Sequence, residues 1–64
     1  MSKSNLINIM KNKKITVREI AEKANISPVT VIKARNNIED CMVSSLLKIA
    51  KALNIDICDI FKEN

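Results

Sequence analysis

Residues 16–37, TVREIAEKANISPVTVIKARNN, predict two short helices joined by three residues. Thr16 and Glu19 stand at the Thr-x-x-Glu spacing of a capping box, in which the hydroxyl accepts from the Glu19 amide and the carboxylate takes the Thr16 amide. A helix therefore starts at this point, and Ile20, Ala21 and Ala24 fall on one face of it. Asn25 follows; after Gly, Asn is the residue that enters the left-handed region most readily, so it is placed to end the helix. Ile26 then returns to the core. Ser27 caps a second helix that opens with Pro28, where a missing amide costs nothing, and Val31 and Ala34 continue the buried stripe.

The rest of the chain extends this pattern in both directions. Ser4 or Asn5 starts a first helix with Leu6, Ile7, Ile9 and Met10 as its apolar positions, and Lys11 to Lys14 close it at the negative end of its dipole. Beyond a polar loop at 36–40, Asp40 is expected to cap a fourth helix. It runs to about Leu53, with Val43, Leu46, Leu47, Ile49, Ala50 and Leu53 forming a broad apolar face. Asn54 ends it, and Asp56 is expected to cap a short fifth helix carrying Ile57, Ile60 and Phe61. One phrase occurs twice. Ile20-Ala21 through Asn25-Ile26-Ser27 is echoed by Ile49-Ala50 through Asn54-Ile55-Asp56.

The composition agrees with an all-α, compact five-helix bundle forming a single domain over 1–64. It is 47% apolar, with 11 Ile, one Pro and no Gly, whereas sheet proteins need turn glycines. A chain of this length buries only about 60% of its unfolded surface, so a second subunit would add needed core. For Ile57, Ile60 and Phe61 two outcomes are open: they complete the core, or they form a homodimer face. No apolar run approaches the length of a membrane span and the N-terminus lacks a long apolar signal core, so a cytoplasmic protein with no membrane partner is expected.

Enzyme and metal chemistry find little to work with. The chain has no His and no Gly-rich phosphate loop, and its carboxylates sit at caps and solvent faces. Cys41 and Cys58 lack CxxC spacing, so reduced packing residues are expected, with no metal and no cofactor. Charge is distributed unevenly. Residues 1–37 carry eight Lys/Arg against two Glu (+6), and residues 38–64 carry three Lys against five acids (−2). A polyanion would therefore meet the N-terminal half.

Taken together, the capping pair Thr16/Glu19, Ile20-Ala21, Asn25-Ile26-Ser27, Thr30-Val31 and the phrase Leu46-Leu47-Lys48-Ile49-Ala50-Lys51-Ala52-Leu53 resemble the Cro/CI-type (Xre-like) helix-turn-helix family of phage and bacterial transcriptional regulators. The resemblance covers about residues 5–61. It implies a lambda repressor-like DNA-binding domain whose third helix, about 28–36, lies in the major groove, and usually a homodimer on a palindromic operator in double-stranded DNA. Helical geometry adds that, with Val31 and Ala34 turned inward, Pro28, Val29, Ile32, Lys33 and Asn36 fall on the opposite side. The expected base contacts are Pro28, Val29 and Ile32 on thymine methyls and Lys33 on guanine. The expected backbone contacts are Lys14, Thr16, Arg18, Ser27, Thr30, Arg35, Asn36 and Asn37.

Three departures from the family pattern bear on these expectations. Val17 stands where Gln is common, Asn25 stands where Gly is common, and Met10 and Arg35 occupy places where many members pair an Arg with a Glu. Changing both partners avoids stranding a buried charge, at about 3–5 kcal/mol, and frees Arg35 for solvent or phosphate. The leading expectation is a small dimeric repressor. The alternatives are an antitoxin-type autoregulator that binds a toxin, and a protein-interaction module that has lost DNA binding, for which an apolar reading face would be the support.

Overall fold

A computed structural model describes residues 4–61, and five helices with one 3-10 turn account for most of them. In chain order they are α1 (Leu6–Lys13), α2 (Val17–Ala24), α3 (Pro28–Asn36), the 3-10 turn (Ile38–Asp40), α4 (Val43–Leu53) and α5 (Ile57–Phe61). Each helix sends at least one fully buried side chain to a common centre: Leu6, Ile20, Val31, Leu46 with Ile49, and Ile60. α2 is the hub, packing on both α3 and α4.

Three helices end by the same device. Lys14, Asn25 and Asn54 adopt φ of 53°, 57° and 59°. In each case the next residue is an Ile whose amide donates back to a carbonyl five positions earlier: Ile15 to Met10 (3.1 Å), Ile26 to Ala21 (3.0 Å) and Ile55 to Ala50 (3.0 Å). These are Schellman closures, which satisfy orphan carbonyls and fold the following apolar residue against the helix just completed. Asn enters this region at little cost; Lys14 carries the full steric penalty of a Cβ there.

The corner between α2 and α3 follows the sequence reading residue for residue, including the capping box and the Ser27 cap with Pro28 at the first position. Four expectations change. Asp40 does not cap α4; the N-cap is Met42, without a side-chain bond, and Asp40 lies in the 3-10 turn, where its Oδ2 accepts from Asn37 Nδ2 at 2.6 Å. The apolar face of α4 is narrower than expected, because Val43 and Leu47 are exposed while Leu46, Ile49, Ala50 and Leu53 are buried. At α5 the side-chain bond runs from the Asp56 amide to Asp59 Oδ2 at 3.3 Å, so Asp59 is the acceptor. Cys58 is exposed rather than packed, whereas Cys41 is half-buried against the core.

The trio on α5 divides. Ile60 is 0% exposed and belongs to the core, while Phe61 is 52% exposed; Ile57 is half-buried against the core's edge. Ile60 therefore has no surface to offer a partner. Ser4 has a structural role the sequence did not signal. Its hydroxyl donates to the Ala34 carbonyl at 2.6 Å and its amide to the Arg35 carbonyl at 3.3 Å, which ties the start of the chain to the end of α3. The Asn5 amide does the same for α5, donating to the Ile60 carbonyl at 2.9 Å. Among the described residues no helix is long and apolar enough to cross a membrane.

Candidate nucleic-acid interface

Helix α3 is held by its inner face and open on its outer one. Val31 and Ala34 are both 0% exposed, which fixes the rotation of the helix. Pro28, Val29, Ile32, Lys33 and Asn36 are then exposed, with Val29 at 60% and Ile32 at 41%. Spacings of three and four place Val29, Ile32, Lys33 and Asn36 along one stripe. Two branched side chains and a cation therefore stand exposed on a helix with no acidic residue.

The start of α3 is set by Ser27, whose Oγ accepts the Val29 amide at 3.2 Å. Thr30 is half-buried, and its carbonyl lies 4.0 Å from Cys41 Sγ. Burial pushes the Cys41 thiol above its ordinary pKa, and nearby Lys33 opposes that shift. Asn37 is engaged locally, donating one of its two side-chain amide hydrogens to Asp40, which leaves the second for a partner.

At α2, the Thr16 amide donates to Glu19 Oε1 at 2.9 Å and Thr16 Oγ1 accepts the Glu19 amide at 3.2 Å. The Thr16 amide, helped by its hydroxyl, holds the Glu19 carboxyl below the usual carboxylate range. Arg18 is exposed on the outer side of the same first turn.

The fold also brings together residues far apart in sequence. Lys11, Lys14, Thr16 and Arg35 line one cleft of about 250 Å³ over an apolar floor of Ile7, Met10 and Ile15. Arg35 thus lies beside Met10, as the changed pair implied. Lys11, which the sequence reading did not place among the candidate contacts, lines this cleft, and a signal for its position was present: Ile7, Met10, Lys11 and Lys14 follow the i, i+3, i+4, i+7 spacing of a single helix face. The cleft joins the end of α1, the start of α2 and the end of α3. Ser27, Pro28 and Val29 stand at the other end of α3, the end that follows the α2–α3 turn.

Comparison with known proteins gives one result that bears on this surface. A family model described as a Cro/C1-type HTH DNA-binding domain matches residues 5–63. No curated protein matches the chain, and no solved structure does.

Proposed function

From the premise that the chain belongs to the Cro/C1-type helix-turn-helix DNA-binding domain family, and so serves DNA binding and transcriptional regulation, we propose that it is a sequence-specific dimeric repressor reading the major groove with α3. The observation that carries this reading is the rigid outward stripe of α3, with Pro28, Val29, Ile32 and Lys33 exposed. A base edge offers partners to both kinds of side chain: thymine methyls to the apolar groups and guanine O6 or N7 to Lys33. The operator is therefore rich in thymine with few guanines read directly. Asn36 at the end of the stripe and Lys14, Thr16, Arg18, Ser27, Thr30, Arg35 and Asn37 around it serve the phosphates, which fix register without reading sequence. Repression needs only a well-placed complex that blocks a promoter.

A homodimer is part of the same proposal. Its face is Phe61 and the half-buried Ile57, joined by Leu47, which lines a groove with Ile57. Two copies related by a two-fold axis would present their α3 helices to half-sites about one helical turn apart.

A second reading has one observation behind it. The 60% and 41% exposure of Val29 and Ile32 would equally suit a protein partner, including a toxin bound by an autoregulating antitoxin. Selection of duplexes from a random DNA pool at near-physiological salt separates the two. An enriched palindrome supports the repressor reading and names its operator. With the protein shown to be folded, no enrichment would overturn that reading and make Pro28, Val29 and Ile32 the bait for a protein partner.

A further inference from the structure

The cleft formed by α1, α2 and α3 gathers three cations, Lys11, Lys14 and Arg35, with no carboxylate among its lining residues. At physiological ionic strength charges are screened over about 8 Å, so cations sharing one small cleft repel each other unless an anion enters. Its apolar floor strengthens the effect by keeping water, and therefore dielectric, out of one side. Arg35 is half-buried, which limits the positions its guanidinium can take, and that group presents a planar fork suited to two oxygens of one phosphate. At the rim stands Thr16, whose hydroxyl oxygen accepts from the Glu19 amide. The Val17 and Arg18 amides open α2 with no acceptor inside the helix. The Glu19 carboxylate is turned back onto the Thr16 amide.

We propose that this cleft is a seat for a single backbone phosphate of the target duplex. Arg35 and Lys11 hold the phosphate from two sides, and Lys14 and the Thr16 hydroxyl close the edge. The seat rests on the DNA-binding reading and adds to it a specific stoichiometry: cations from two helices, 24 positions apart in the chain (11 and 35), neutralise one phosphodiester rather than two. It also gives α1 a part in DNA binding, clamping the ends of α1 and α3 to the same point on the backbone.

Counterion release makes that stoichiometry measurable, because the slope of log K against log salt counts phosphates neutralised. Affinity for the selected duplex would be measured across a KCl series for the wild type, Lys11→Ala, Arg35→Ala, the double variant, Arg35→Lys, and Lys48→Ala as an exposed control on α4, with a thermal melt of each. The expected result is that the double variant lowers the slope by about one per protomer, hence about two for a dimer on its palindrome, with neither single variant exceeding that, while Lys48→Ala changes nothing. Arg35→Lys keeps the slope and loses affinity, because it keeps the charge without the fork. Ethylation of one phosphate per half-site should block the wild type and cease to matter in the double variant. A fall of about two per protomer in the double variant, or no fall while the wild type still binds, overturns the seat and leaves the DNA-binding reading standing. A wild type with no salt-dependent binding to any duplex overturns both.

Discussion

The corner between α2 and α3 and the corner between α4 and α5 share one backbone and differ in chemistry. Each turns on an Asn at φ near 57° to 59°, and each sends an Ile amide back 3.0 Å to an Ala carbonyl. After the first corner comes a helix of nine residues with Lys33 and Arg35 in its last turn and no acid at its start. After the second comes a helix of five residues with Asp59 in its first turn and Ile60 at 0% exposure. The turn thus decides only where the next helix goes. Whether that helix can approach a polyanion depends on its length, on the sign of its charges and on how much of it the core leaves uncovered. In this chain α3 meets all three requirements, whereas α5 is short, carries Asp59 in its first turn and turns Ile60 into the core.

The largest test of that contrast lies in the buried half of α5. Ile60→Ala removes side-chain volume that every neighbour packs on, at about 2–5 kcal/mol, enough in a chain this small to abolish the cooperative melt followed by circular dichroism. Phe61→Glu, one residue on, should leave the melt in place and shift sedimentation from dimer to monomer. Equal melts for the two variants would mean that α5 is not core.

Next comes charge on the reading face. Val29→Asp puts a carboxylate where phosphate and base edges approach, and should weaken operator binding by about 1–3 kcal/mol with the melt unchanged, whereas Cys58→Asp on the other corner should change neither. Comparable losses from both variants in a duplex titration would break the comparison between the corners.

The cap of α2 has the next effect: Thr16→Ala should lower stability by about 1 kcal/mol in a denaturant titration. The helix ends follow closely. Lys14→Gly relieves a left-handed non-glycine and should raise stability by up to about 1 kcal/mol, while Asn25→Gly and Asn54→Gly should each change it by only a few tenths. A smaller gain at Lys14 than at the two Asn positions would mean that the three closures are not equivalent.

The smallest effect concerns the thiols, one near each corner's second helix. Exposed Cys58 should alkylate quickly at neutral pH. Cys41 should alkylate more slowly, because burial raises its pKa and the thiolate is the reactive form. Equal rates by mass spectrometry would contradict the packing of Cys41 against α3.

Legibility followed the range of the interactions. Thr16 with Glu19, Ser27 with Pro28, and Asn25 and Asn54 act within a few residues, so their geometry was readable in the order of the letters. Asp40 shows the limit of that reading. Its type and place suit a cap, yet a 3-10 turn at Ile38–Asp40 offers it the Asn37 amide first. Val43 and Leu47 show another limit, since helical spacing marks an apolar face without showing how much of it a neighbour covers. The outward residues of α3 were legible because Val31 and Ala34 fix the helix rotation, and periodicity then assigns the remainder.

Composition settles the excess of positive charge in the N-terminal half, and local order in the chain settles the five helices, the caps of α2 and α3, the Asn stops of α2 and α4, and the face of α3 that turns outward. All of these rest on contacts between residues a few positions apart. Only the tertiary structure decided that Ile60 is core and Phe61 surface, that Ser4 anchors the end of α3, and that Lys11 and Lys14 meet Arg35 in one cleft. Those outcomes depend on which helices pack side by side, and local patterns do not encode that proximity.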